Sequence, residues 1–326
     1  MWRPLLFGGA QAGIFRGPIL RFARLFCMEI PVPFASKAAP EAPVAAPKRP
    51  VLAYPTLGES WGILGWYLLV SLVAGGLCYA ALSVTHWPRA QRIMVAATVA
   101  NAALLAFLRW KAGARWQPWQ LLGQARPWLL VALPAVVVAN ILVLSLLSFL
   151  HLPNTAGSLF EEVSRTPAVA LLLGAGAAAV LEELLFRGVI LNGLLQHQRP
   201  WVAIGQSALL FGLIHFNPAQ SVSAGLFGLL LGWLYYRTRS LGVCMAIHAL
   251  NNSVAFIAMR WAPAAWQKDS LVEGFGSAWA YAGAVGLSAL VLAAVLWRVR
   301  QTTTPPAGAP GAAADEAPAV WEAVAA

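Results

Sequence analysis

Apolar runs separated by short polar breaks set the plan of this chain. They fall at about 61–84, 93–108, 127–150, 167–196, 200–216, 219–236, 240–259 and 277–298. Most reach the roughly 20 residues that a helix needs to cross the hydrocarbon of a bilayer. A segment in lipid must satisfy its own backbone donors and acceptors, so such runs predict helices. The pattern predicts an all-α fold: a polytopic membrane protein, a bundle of about eight transmembrane helices. The second and fifth runs are short, and the count turns on them. No soluble domain interrupts the series. Residues 1–55 read as a basic, Pro- and Ala-rich lead-in, 56–300 as the transmembrane domain and 301–326 as a disordered tail.

Composition agrees with the pattern. The 326 residues are 60% hydrophobic and only 10% charged, against roughly 25% charged in a soluble domain. The net charge of +10 does not point to nucleic acid, because the basic residues sit in the breaks between apolar runs. With a cytoplasmic N-terminus, one side collects Lys37, Lys48, Arg49, Arg109, Lys111, Arg115, Arg126, Arg199, Arg237, Arg239, Arg298 and Arg300. The other collects Arg89, Arg92, Arg165, Arg260 and Lys268. That bias predicts both termini inside. The Ala-, Trp- and Arg-rich chain suggests a bacterial cytoplasmic membrane. The stretch GPILRFARLFC, 17–27, reads either as a basic surface helix or as sequence upstream of a start at Met28. Cys27, Cys78 and Cys244 show neither a disulfide framework nor paired zinc spacing.

Three polar groups interrupt the runs at membrane depth, where a charge costs about 2.5–3.5 kcal/mol on insertion scales and a functional site is the default reading. The first is Glu182–Glu183–xxx–Arg187. Glu183 and Arg187 stand at i and i+4 with the acid first, the favoured order for a helical pair. Glu182 points about 100° away and is left for other work. The bland alternative is a trio that only steadies the bundle. A second trio, Glu161, Glu162 and Arg165, lies in the 151–166 loop, where charge is cheap, and carries no assigned role. The other groups are Phe211–xxx–His215, ending the fifth run, and His248–xxx–Asn252, one turn apart in the seventh. A lone histidine is more often a hydrogen-bonded core residue than a catalyst.

Joint geometry raises their weight. Glu182 and His215 are equidistant from the turn near Gln198–Arg199, so an antiparallel hairpin puts them level, roughly 20 Å from it. His248 and Asn252 reach a similar layer from the same side. A carboxylate beside an imidazole can deprotonate water. A second histidine with an amide can stabilise an oxyanion. These are parts for hydrolysing an amide. Other protease chemistries lack their residues: the only aspartates are Asp269 and Asp315, and HExxH is absent. A Cys244–His248 nucleophilic pair is outweighed by an apolar core cysteine.

In that order on separate runs, the three motifs resemble the signature of the CAAX prenyl protease and bacteriocin-processing family, membrane endopeptidases related to the type II CAAX prenyl endopeptidase. The resemblance covers about 167–260. It implies Glu182 as the base that activates water, assisted by His215, with His248 and Asn252 on the oxyanion. Glu183, Arg187 and Phe211 would support the site. The cofactor stays open between none and zinc, for which Glu182, His215 and His248 are the candidate ligands. The implied partners are the lipid bilayer and a membrane-associated protein or peptide; a bacteriocin precursor or a sorting signal is an analogy only. The alternatives are a proton-coupled transporter and a non-catalytic peptide-binding or immunity protein.

Overall fold

The computed structural model describes residues 52–263, 266 and 271–305. The amphipathic stretch near the N-terminus, the Met28 question and most of the tail lie outside these residues. Among them every regular element is helical, and the nearest thing to a strand is a single parallel bridge between Gln120 and Ser240. The helices are α1 (Leu57–Leu82), α2 (Arg89–Arg115), α3 (Pro127–Leu150), α4 (Gly157–Ser164), α5 (Pro167–Leu194), α6 (Pro200–Leu213), α7 (Pro218–Thr238), α8 (Leu241–Trp261), the single turn α9 (Val272–Phe275) and α10 (Ala278–Thr302).

The expected count of about eight spans needs correction. All eight runs are helical, but six described helices are long and apolar enough to cross a membrane: α1, α2, α3, α5, α8 and α10. α6 has 14 residues, about 21 Å, short of a hydrocarbon core near 30 Å. α7 has 21 residues but carries Gln220, Ser221, Ser223, Arg237 and Thr238. The 151–166 stretch, read as a loop, contains α4.

Local chemistry sets the helix ends. Proline opens α3, α5, α6 and α7, where its missing N–H costs nothing and its φ suits the first turn. Thr56 and Glu59 form a reciprocal capping box on α1. Ser240 caps α8 by accepting from Val243 N at 3.2 Å and donates its own hydroxyl to Leu121 O at 2.9 Å.

The bundle is apolar outside and ionic inside. Leu72, Val131, Leu172, Leu287 and Leu290 are all well exposed, while the largest fully buried side chain is Arg187. Lipid accepts the outer apolar surface, so packing must come from close approach of backbones. The α6–α7 hairpin does this with glycine. A Cβ on Gly228 would lie 3.1 Å from Ala208 Cα and 3.3 Å from the Phe211 ring, and one on Gly212 only 2.6 Å from Ser221 O.

Hydrogen bonds sort the loops into two ends. At one end Tyr54 N bonds Arg115 O, His197 Nε2 meets Pro55 O, Gln124 N bonds Thr238 O, and Gln124 exchanges hydrogen bonds with Thr304. Both described chain ends sit here. At the other end Glu162 accepts from Ala90 N, and Asn217 joins the α6–α7 turn to Asn154 and Thr155.

Candidate active site

α5 carries the paired glutamates on a short α-helical stretch, Ala178–Glu183, between two π-helical segments, Ala170–Ala177 and Leu184–Leu191. Wider turns of this kind are rare and recur at functional sites, because they re-aim side chains within a continuous helix. The two acids differ in exposure: the Glu183 side chain is 0% exposed and the Glu182 side chain 17%.

Glu183 is the anchor. Its Oε1 accepts from Arg187 Nη1 at 2.7 Å and from His248 Nδ1 at 2.8 Å. Arg187 Nη2 donates to Gly228 O at 3.1 Å, and its guanidinium lies over the Phe211 ring, 4.9 Å from the centroid. That carbonyl is within reach because glycine lets α7 press onto α6. Two acceptors and a ring face thus compensate one buried cation, which burial alone would make costly.

With Nδ1 held by Glu183, His248 turns Nε2 to Glu182, whose Oε2 lies 3.8 Å away. Among the described residues, His248 is the histidine within ion-pair reach of Glu182. Phe211 and Phe227 hold its ring edge-on, each at a centroid distance of 5.6 Å. Phe211 also packs against Phe186 at 4.9 Å and His215 at 5.1 Å, so one aromatic ring links all three motifs.

His215 sits just beyond α6, in the turn to α7, and is half-buried rather than mid-helix. Its Nδ1–H donates to Phe211 O at 2.8 Å, which leaves Nε2 as the uncommitted ring nitrogen. The next residue, Phe216, has φ of 48°, a left-handed conformation that costs a non-glycine roughly 1–2 kcal/mol. The following Asn217–Pro218 step opposes that cost. Asn217 accepts from Thr155 N at 2.9 Å and donates to Asn154 Oδ1 at 2.9 Å, while Ala219 N bonds Pro153 O.

Asn252 lies one turn beyond His248 on α8 and donates from Nδ2 to Gly174 O, in the first π-helical segment, at 3.4 Å. A Cβ on Gly174 would lie 2.7 Å from the Phe256 ring, so a larger residue there would have to displace that ring. Cys244 is buried, and its Sγ donates to Leu231 O at 3.5 Å.

Sequence reasoning missed Phe227, the carbonyls of Gly174 and Gly228, and Tyr67 on α1, which lines a small cavity with Leu185 and Phe186 just past the paired glutamates. The small-residue spacing Gly228–xxx–Gly232 was a usable signal for the close α6–α7 contact. Nothing in the sequence marked Tyr67.

A zinc ion asks for ligand atoms about 2.0–2.2 Å from one centre. Among the described residues no group of three or more His, Cys, Asp or Glu is placed to hold a metal. The histidines spend Nδ1 on Glu183 and on Phe211 O, and Glu182, His215 and His248 do not form a ready three-ligand cluster.

Residues 164–254 match the family model described as Type II CAAX prenyl endopeptidase Rce1-like. The matched stretch holds Glu182, Glu183, Arg187, Phe211, His215, His248 and Asn252, and leaves α1 to α3 and α10 outside. The chain matches no curated protein and no solved structure at a significant level.

Proposed function

We propose that the protein is an integral-membrane endopeptidase that hydrolyses a peptide bond of a membrane-associated protein or peptide, with Glu182 activating the water. The observation that carries this reading is the chain Arg187–Glu183–His248–Glu182, joined at 2.7, 2.8 and 3.8 Å. A structural ion pair would end at Glu183. Here the pair orients an imidazole towards a second, more accessible carboxylate, the arrangement that general-base catalysis needs. The Rce1-like match over the same residues supports the reaction class.

In the proposed reaction a water sits between Glu182 Oε2 and His248 Nε2, whose separation suits one bridging molecule. Glu182 takes its proton as the oxygen attacks the scissile carbonyl carbon. The Asn252 amide donates to the oxygen that gains charge. The C–N bond then breaks, and the proton held by Glu182 passes to the leaving nitrogen. His215, fixed through Nδ1, assists through Nε2. Glu183 and Arg187 take no proton; they hold His248.

Comparing membrane proteomes of a deletion strain and a strain carrying Glu182→Ala tests the proposal. The same membrane proteins should accumulate uncleaved in both. Normal processing under Glu182→Ala overturns the assignment.

A further inference from the structure

The turn that carries His215 is tied to a loop 62 residues earlier in the chain. Asn217 is 3% exposed and opens α7, yet its side chain makes no capping bond to that helix. Asparagine is among the best residues for such a cap. Here it is engaged elsewhere. Its Oδ1 accepts from Thr155 N at 2.9 Å and from Thr155 Oγ1 at 3.5 Å, and its Nδ2 donates to Asn154 Oδ1 at 2.9 Å. Beyond Pro218, Ala219 N donates to Pro153 O at 3.2 Å. Consecutive residues of the loop thus grip the turn on both sides of a proline.

The loop is itself anchored. Asn154 packs on the start of α4, where a Cβ on Gly157 would lie 3.1 Å from its Nδ2. α4 then buries Val163 and Ser164, sets Phe160 edge-on to Phe256 of α8 at 6.2 Å, and accepts from the first turn of α2 through Glu162. A loop fixed to three helices is a post against which a strained turn can be held.

The turn needs such a post. Phe216 stands between His215 and Asn217 with φ of 48° and is 60% exposed. A bulky side chain disfavours the left-handed region, and burial of this ring does not offset that. The backbone bonds that end α6, His215 N to Gly212 O and Phe216 N to Leu213 O, are both long at 3.3 Å. Released, Phe216 would return to the right-handed region and swing His215 about the end of α6. His215 packs on the same Phe211 ring that holds His248, so its direction bears on the site.

We propose that Asn217 is a positioning residue for His215: through Asn154 and Thr155 it holds Phe216 left-handed, and so keeps the free Nε2 of His215 turned to the reacting water. This rests on the endopeptidase reading. It adds a determinant of rate whose other half, the 153–155 loop, lies outside the matched stretch 164–254.

The test measures kcat and KM of the full-length protein in detergent, on a peptide spanning the cut site of the membrane protein that accumulates under Glu182→Ala. Asn217→Ala should lower kcat by about 10- to 100-fold and leave KM within about twofold of wild type, as expected when a reacting group is displaced. Asn217→Asp keeps the acceptor for Thr155, and the Asn154 amide can turn to donate to it, so most of the rate should remain. The deciding variant is Phe216→Gly, because glycine adopts the left-handed backbone without steric cost. Added to Asn217→Ala, it should recover most of the lost kcat. A role limited to docking the 153–155 loop predicts no recovery, since glycine at this position restores no bond to Asn154 or Thr155. Wild-type kcat in Asn217→Ala, with Glu182→Ala inactive, overturns the positioning role and leaves the endopeptidase standing. A loss that Phe216→Gly fails to recover does the same. If Asn217→Ala does not fold, Asn154→Ala removes one bond of the grip and carries the decision with the same rescue. No accumulation under Glu182→Ala overturns both readings.

Discussion

The chain contains two stretches of the same charged residues, and the fold treats them in opposite ways. Glu161, Glu162 and Arg165 lie on α4 near one end of the bundle, where Arg165 and Glu161 pair at 3.3 Å with side chains 72% and 64% exposed. Glu182, Glu183 and Arg187 lie on α5, where the Arg187–Glu183 pair closes to 2.7 Å with both side chains at 0%. Water and salt screen the first pair, which is worth about 0–1 kcal/mol. The second has no water to fall back on, and its members depend on each other, on Gly228 O and on His248. The same side chains lie near the surface in one place and frame the proposed site in the other.

Removing single members sharpens this contrast. The largest effect should come from Arg187→Ala, which strands Glu183 in the bundle. Losing one partner of a buried pair costs about 3–5 kcal/mol, so a large fall in thermal stability should accompany complete loss of processing. A stable, active Arg187→Ala protein would make the two trios equivalent. Glu182→Gln should abolish processing while the unfolding temperature stays near wild type, because Glu182 makes no hydrogen bond that holds helices together. Equal destabilisation by Glu182→Gln and Arg187→Ala would reduce the whole trio to structure. Asn252→Ala should lower the cleavage rate by about 10²–10³ with little change in apparent affinity, as expected for an oxyanion donor. A purely raised KM would move Asn252 to substrate binding.

The surface trio anchors the low end of the scale. Glu162 accepts from Ala90 N in the first turn of α2, at 3.2 Å, and Glu162→Ala should cost about 1 kcal/mol of stability with processing intact. Arg165→Ala should shift stability by no more than about 0.5 kcal/mol. A larger loss in chemical unfolding would mean that α4 is wedged more tightly than its exposure implies.

Much of the candidate site was legible in the sequence. Charges at membrane depth are costly, so Glu182, Glu183 and Arg187 announced themselves, and the i, i+4 spacing identified which acid Arg187 would take. His248 and Asn252 shared a face by the same arithmetic. The span count was less legible, because α6 is short and α7 is polar. These helices lie against the site rather than wholly against lipid, and lipid is what demands length and apolarity. Which histidine meets Glu182 could not be read from depth. Residues at one level can still face different ways around their helices, and His215 falls in a turn whose course depends on Asn217 and the 153–155 loop.

By itself, then, the sequence determined that the chain is helical, that it lives in a bilayer, and which polar residues are too expensive to be there by accident. Those are properties of single residues and of their periodicity along one helix. Only the tertiary structure decided that Glu183 holds both Arg187 and His248, that a backbone carbonyl on α7 completes the pair, and that Tyr67 from the first helix lines a small cavity with Leu185 and Phe186. Each of those contacts joins segments tens of residues apart, and its existence depends on how closely two helices approach, which a few glycines permit and side-chain packing across the whole bundle sets.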